Sequence, residues 1–375
     1  MAGIYIHIPF CKQKCSYCDF HFSTTFAPYR QKMIESFIKE IEQRRGYLEG
    51  KSVGSIYFGG GTPSLLTKDE LERILRAIST IFEVENGAEV TLETNPDDCS
   101  EENLREWKEL GVNRLSIGLQ SFKTFDLKWM NRAHSVEESH SSVELALKTG
   151  FENITIDLMY GLPDLTDEEW KAHIQQVLDW GIPHISSYCL TVEEGTALNN
   201  WVERKKISVG GEEQESRQFE ILVEMLENEG VHQYEISNFS KKGFESKHNS
   251  NYWKGEWYIG VGPSAHSFNG SSRQWNVANN HVYMSKLDKG EDYFEVEKLT
   301  AVDQFNELVL TGLRTIYGVS LEKLESLVPL TSEFKDKVDA YQNANWMTNQ
   351  GGKLTLTKEG RLRADYIASE LFVAT

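Results

Sequence analysis

The chain of 375 residues contains no run near the ~18 consecutive apolar residues that a membrane-spanning helix needs. Positive charge is scarce. Against 57 Asp and Glu there are 39 Lys and Arg, and a net charge of −18 repels phosphate backbones, so nucleic acid is not expected as a partner. The opening residues, Met1 to Pro9, lack the basic stretch and apolar run of a signal peptide, which makes the cytoplasm the expected location. There is no low-complexity tract and no internal repeat beyond a strand–helix unit. The five cysteines (Cys11, Cys15, Cys18, Cys99 and Cys189) are odd in number, which argues against a disulfide framework in a large acidic chain. What is present suffices for a globular protein: 39% hydrophobic residues can fill a sizeable core, and the length suits about two domains.

Up to about residue 237 the chain alternates short β-rich runs with helix-period stretches. Strands are expected at Ile4–Ile8, Ser55–Phe58, Glu89–Glu93, Arg114–Gly118, Asn153–Met159, His184–Leu190 and Gln233–Ile236, most of them nearly continuous Ile, Val, Leu and Tyr as in buried parallel strands. Amphipathic helices are expected between them, for example over Tyr29–Arg45, Lys68–Phe82, Val136–Lys148 and Asp167–Trp180. This alternation predicts a parallel α/β structure, either a partial TIM-like barrel or an open doubly wound sheet, with its chemistry at the C-terminal ends of the strands. Residues 238–294 are aperiodic and rich in Asn, Gly, Ser, Trp and Tyr. Residues 295–375 read as a small α+β C-terminal domain, with a helix over Val302–Arg314, a strand at Lys353–Leu356 and a helix over Lys358–Leu371.

Three of the cysteines form Cys11-x3-Cys15-x2-Cys18 directly after the first expected strand. Three thiolates on one short loop can hold three corners of a cubane iron–sulfur cluster, leaving the fourth iron free for a small molecule. A structural zinc with His7 or His21 as fourth ligand is the blander reading, but it usually pairs two separated Cys knuckles, and no second one exists. Further candidates sit at the ends of successive strands. Gly59-Gly60-Gly61-Thr62 follows the second, where bare backbone groups can approach a ligand. Glu93 ends the third strand, Gln120 the fourth, Arg132 lies in the next loop and Asp157 lies on the fifth. Taken singly, each is equally a solvated loop residue.

The cysteine spacing, with Tyr17 before the third cysteine, resembles the signature of the radical S-adenosylmethionine (SAM) superfamily, and Tyr5-Ile-His-Ile-Pro-Phe-Cys11 resembles its coproporphyrinogen III dehydrogenase and heme-chaperone branch. The resemblance implies a partial parallel (β/α)6 barrel. It implies a [4Fe-4S] cluster on Cys11, Cys15 and Cys18, with SAM chelated at the open iron and cleavable by one electron. It also places Tyr5, Gly60, Gly61, Thr62, Glu93, Gln120, Arg132 and Asp157 at the SAM site.

Two departures separate the alternatives within that branch. The dehydrogenases carry a fourth cysteine two residues after the third, where this chain has Phe20, and a longer N-terminal extension. The segment His248-Asn249-Ser250-Asn251-Tyr252-Trp253 is similar to the heme-binding motif of the chaperones. An exposed His248 could ligate heme iron while the Tyr252 and Trp253 rings stack on the porphyrin, with Asn249 beside them. The reading is therefore a carrier that hands heme to apo-proteins such as respiratory enzymes, with a homodimer plausible by resemblance. The alternatives are an oxygen-independent coproporphyrinogen III dehydrogenase and a radical SAM enzyme for an unrelated substrate. Gly260-Val261-Gly262 is only superficially a dinucleotide fingerprint, because Pro263 follows and no amphipathic helix does.

Overall fold

The structure, a computed structural model, describes residues 1–374. Strands β1 (Ala2–Ile8), β2 (Val53–Gly60), β3 (Val84–Thr94), β4 (Arg114–Gln120), β5 (Asn153–Tyr160) and β6 (His184–Cys189) pair in sequence order, each parallel to the next. Helices Arg30–Gln43, Lys68–Ile81, Glu101–Glu109, Val136–Lys148 and Asp167–Asp179 connect them. Three of these helices start at a capping box, Thr67 with Glu70, Ser135 with Glu138 and Thr166 with Glu169, in which side chain and backbone satisfy each other's first-turn groups. The protein is thus α/β with a mostly parallel central sheet.

The sheet continues past both ends of this run. At one edge β7 (His232–Gln233) and β8 (Asn238–Ser240) form an antiparallel hairpin against β6. At the other, β9 (Trp257–Val261) lies parallel to β1, and β10 (His266–Phe268), β11 (Ser272–Asn276) and β12 (Phe294–Lys298) add antiparallel strands. The order β12-β11-β10-β9-β1-β2-β3-β4-β5-β6-β8-β7 leaves β12 and β7 as edges, so among the described residues the sheet does not close on itself. Two sequence expectations change here. The stretch 238–294, aperiodic in sequence, carries four strands, the first residue of a fifth, and the helices Lys247–Trp253 and Asn280–Lys289. The strand expected at Gln233–Ile236 is only His232–Gln233, because Tyr234 and Glu235 turn back to donate to the Asn238 carbonyl.

A second buried cluster, including Phe305, Val309, Leu313, Leu324, Leu354 and Ile367, forms around the helix Ala301–Leu313 and a small sheet of β13 (Val319–Ser320), β14 (Met347–Gln350) and β15 (Lys353–Leu356). The helix expected over Lys358–Leu371 is broken into Lys358–Arg361 and Ala364–Glu370, since Arg363 leaves the helical conformation at φ −122°.

Along β1 the outward residues Ile4, Ile6 and Ile8 pack under the helices, while Gly3, Tyr5 and His7 face inward. The inner face is polar on every strand. Tyr57 donates to Glu93 across β2 and β3, Ser116 to Asp157 across β4 and β5, and Thr155 is 3.0 Å from His184 across β5 and β6. This polar interior sets where the cavities lie.

Candidate functional site

The loop after β1 carries the three cysteines and is pinned by distant segments. Cys11 N donates to the Ser23 carbonyl at 3.1 Å, Ser16 N to Met130 at 3.0 Å, and Leu198 N to Ser16 at 2.9 Å. Asn131 Nδ2 donates to the Lys14 carbonyl at 2.8 Å, and Lys12 pairs with Asp97 at 2.6 Å. All three thiols are free and half-buried, and all three line one cavity of about 410 Å3 at the C-terminal ends of the strands. Burial pushes the Cys11 thiol up to about 12 and the Cys18 thiol up to about 11. The Thr62 hydroxyl donates to Cys11 Sγ at 3.4 Å and Arg132 Nη1 to Cys15 Sγ at 3.6 Å.

Seven of the eight residues expected around SAM share that cavity: Gly60, Gly61, Thr62, Glu93, Gln120, Arg132 and Asp157. Tyr5 does not. It lies behind the wall, its hydroxyl 3.1 Å from His7 Nδ1 and its ring 6.1 Å from that of Tyr57. The glycines are also required for a reason other than ligand approach. Gly60 has φ +101°, and a Cβ there would stand 2.4 Å from the His7 ring; a Cβ on Gly61 would stand 2.6 Å from the Ile8 and Phe10 carbonyl oxygens. The turn is thereby locked to the start of the cysteine loop, with Gly61 N and Thr62 N donating to those same carbonyls at 2.9 and 2.7 Å.

The charges in the cavity are arranged, not scattered. Arg132 Nη2 donates to Asn95 Oδ1 and to the Gly118 carbonyl, each at 2.7 Å, while its Nε is buried without a partner. Glu93 accepts from Tyr57 at 2.8 Å and from Gly60 N at 3.1 Å, and burial raises its pKa. Burial, and then the nearby charge of Glu93, pushes the Asp157 carboxyl up to about 7. Such a cavity offers a guanidinium to a carboxylate and two carboxyl groups to an ammonium or to hydroxyls. Of the two candidate fourth ligands for zinc, His7 is engaged through Nδ1 by Tyr5 and through Nε2 at 2.8 Å by the His21 carbonyl, while His21 is engaged through Nε2 alone, 2.8 Å from Asn280 Oδ1. Sequence reasoning missed Asn95, Ser116, Tyr188 and Cys189 on the same wall. The signal for Ser116 was its inward position two residues from Gly118 on β4, a spacing of two that puts both on one face.

A second cavity, of about 750 Å3, lies beside the first, and Tyr188 of β6 lines both. Asn249, Tyr252 and Trp253 of the short helix Lys247–Trp253 are on its wall, but His248 is not. The expected exposed imidazole is a buried one: His248 is 2% exposed, with Nδ1 2.9 Å from Ser55 Oγ and Nε2 2.9 Å from Tyr252 Oη. Burial, reinforced by the Arg114 charge, pushes its pKa down to about 3, so the ring is neutral. Its stacked partner is Tyr57, at 5.1 Å between centroids. The helix stands on Glu89 of β3, which accepts from Lys247 N and His248 N at 3.0 Å each. Gly262, from the spurious dinucleotide pattern, lies in the turn after β9 and donates through its N to Glu40 at 2.8 Å.

Residues 5–177 match the family model of the Radical SAM superfamily. The chain is 35% identical to the heme chaperone HemW of Bacillus subtilis over 94% of its own length and 96% of that protein's. It is 32% identical to the mitochondrial radical S-adenosyl methionine domain-containing protein 1 of Danio rerio, over 97% and 84% of the two lengths. Among solved structures it matches the coproporphyrinogen III oxidase HemN of Escherichia coli, a radical SAM enzyme, with a TM-score of 0.85 and 21% identity, covering 99% of this chain and 90% of that one. That last likeness is one of fold. No helix of the described residues is long and apolar enough to cross a membrane. Near-complete coverage of the bacterial relative, together with the superfamily match over β1 to β5, shows that this chain belongs to the HemW family of the radical SAM superfamily.

Proposed function

We propose that the chain binds heme and passes it to heme-accepting apo-proteins, and that Cys11, Cys15 and Cys18 hold a [4Fe-4S] cluster with SAM at its open iron. The observation that carries the heme reading is the 750 Å3 cavity, on whose wall Asn249, Tyr252 and Trp253 stand beside Tyr258 and Phe268. Its size is that of a small-molecule site, and its aromatic faces suit a flat macrocycle. His248 lies behind Tyr252, so it reaches a ligand in that cavity only after the 2.9 Å contact to the phenol is released.

The residues present fit a cluster with SAM. Three thiols line one cavity, two of their sulfurs already accept hydrogen bonds from Thr62 and Arg132, and the buried Nε of Arg132 has no partner, although among the described residues no three such ligands are already gathered around one point. Bound there, the cluster supplies one-electron chemistry at SAM. The chain's own part is to orient and to exclude water. Arg132 brings a positive charge to the cavity, its Nη2 already held by Asn95 and the Gly118 carbonyl, Glu93 and Asp157 face the same space, and the loop pinned by Met130 and Leu198 lines one side.

The test is a hemin titration of anaerobically reconstituted protein, following the Soret band, for the wild type and for His248→Ala. Saturation near one heme per chain supports the carrier, and an altered spectrum in the variant identifies His248 as a group that rearranges on binding. No specific binding by the wild type, with turnover of coproporphyrinogen III, overturns the carrier in favour of the enzyme. For the cluster, alanine at Cys11, Cys15 and Cys18 abolishes the broad iron–sulfur absorption, whereas Cys99→Ala and Cys189→Ala keep it.

A further inference from the structure

The larger cavity is not made by the large sheet and its helices alone. Tyr252, Trp253, Tyr258 and Phe268 give it aromatic lining, and Leu308 and Thr311 of the helix Ala301–Leu313 line it too. The C-terminal region therefore completes the site. Its charge also stands out in a chain of net charge −18: the wall carries Arg273, Arg314 and Lys323 against Glu235 and Glu307. Glu307 is already paired with Arg273 at 2.8 Å, and Glu235 accepts from Ser237 N at 3.1 Å and from Asn238.

Two of the cations are built in rather than loose. Arg273 lies with its guanidinium 5.5 Å from the Phe268 ring, and Arg314 lies 5.7 Å from the Trp253 ring. Arg314 spends only one donor on Asp365, at 3.0 Å, a carboxylate that is 70% exposed; its Nε is buried with no partner. A planar guanidinium with unspent donors, 5.7 Å from an indole on the wall of an aromatic cavity, matches a carboxylate attached to a flat ring system.

We infer that the C-terminal region is a clamp that holds heme by its propionates, with Arg314 and Arg273 as the carboxylate-binding residues and the aromatic wall of residues 252–268 taking the macrocycle. This rests on the heme reading above and names what selects the ligand within it. The clamp explains why Trp253 of the motif helix and Arg314, which follows the helix Ala301–Leu313, meet across the cavity.

The test uses the full chain and two probes that share one macrocycle, hemin and hemin dimethyl ester, whose propionates are blocked. Wild-type protein binds hemin about tenfold or more tightly than the ester, the loss expected for charge-assisted hydrogen bonds. Arg314→Gln and Arg273→Gln weaken hemin toward the affinity of the ester and leave the ester itself unchanged, which separates loss of a carboxylate contact from a general disturbance of the cavity. Equal affinity of the wild type for both probes overturns the clamp while the heme reading stands, and this comparison needs no variant to fold. Parallel loss of both probes in the variants also overturns it. Failure of the wild type to bind hemin removes the heme reading and the clamp together.

Discussion

The helix that carries the motif residues has seven residues, Lys247–Trp253, far below the length at which a helix is stable in water by itself. Its first N–H groups are satisfied from outside. Ser246 accepts from Asn249 N at 3.2 Å, and Glu89, from strand β3, accepts from Lys247 N and His248 N at 3.0 Å each. Glu89 is also 3.9 Å from Arg114 Nε, and both side chains are almost wholly buried. Replacing Glu89 with Gln keeps the shape but puts an amide donor against one of the two backbone donors, leaving a buried N–H unsatisfied, which costs about 1–3 kcal/mol. It also leaves Arg114 without its counter-charge, and breaking a buried pair costs about 3–5 kcal/mol. The two costs overlap, so about 3–5 kcal/mol is expected in all. Over 375 residues the unfolding entropy is roughly 0.8 kcal/mol per kelvin near 60 °C, so Glu89→Gln lowers Tm by about 4–6 °C if the chain unfolds cooperatively. Thermal unfolding followed by circular dichroism reads the shift, and amide exchange at Lys247 and His248 reads its origin, since both should lose protection. A Tm within about 1 °C of wild type, with both amides still protected, would refute the claim that Glu89 holds this helix.

Gly60→Ala places a Cβ 2.4 Å from the His7 ring at φ +101°, so it should destabilise by more than about 2 kcal/mol. Gly46→Ala, with nothing within 4 Å, is the control, and similar melting of the two variants would contradict the packing argument. Asp157 is held up at about 7 in the folded cofactor-free protein against about 3.9 unfolded, so the folded state binds the extra proton between those values. Stability therefore falls as pH rises from about 4 to 7, by up to about 4 kcal/mol. Asp157→Asn removes that slope, and its urea midpoint relative to wild type should improve between pH 4.5 and 7.5; a pH-independent difference would sink the assignment.

The six parallel strands were legible because each is a buried run bounded by turn residues, and three of the helices announce themselves with Ser or Thr three residues before Glu. The added strands were not. β11 reads Ser-Arg-Gln-Trp-Asn and β12 reads Phe-Glu-Val-Glu-Lys, with polar residues throughout, because they lie toward an edge where one face meets solvent. The cysteines were legible because all three lie within eight residues. Glu93, Gln120, Arg132 and Asp157 were legible from their places at strand ends. Tyr188 and Cys189 were not, since β6 reaches the cavity only through its pairing with β5, at Met159 and Tyr160. His248 shows the limit most clearly. Its sequence neighbours are aromatic, but the partners that occupy its ring nitrogens include Ser55, 193 residues away.

The polar interior accounts for the position of both cavities. A closed barrel of eight strands is ordinarily filled by layers of branched apolar side chains. Here two inward positions of β4, Ser116 and Gly118, are small, and both line the cavity beneath the cysteine loop. Toward the N-terminal ends the inward positions are Gly3, Ser55, Glu89 and Arg114, too small or too charged to close the base by themselves. The imidazole of His248 enters from the helix Lys247–Trp253 and fills that space. A Cβ on Gly3 would stand 3.2 Å from its ring, and its neutral nitrogens meet Ser55 on one side and Tyr252 on the other. Arg114 is then balanced by Glu89 and sits beside Thr155 and His184, which in turn reaches Tyr234 at 2.8 Å. Most polar groups of this base are paired, while Arg114 Nε and Thr91 Oγ1 are buried without a hydrogen-bond partner. The motif histidine thus fills the space between the inward residues of β1 to β4 at their N-terminal ends, and the residues that follow it, Tyr252 and Trp253, are carried by the same helix to the wall of the neighbouring cavity.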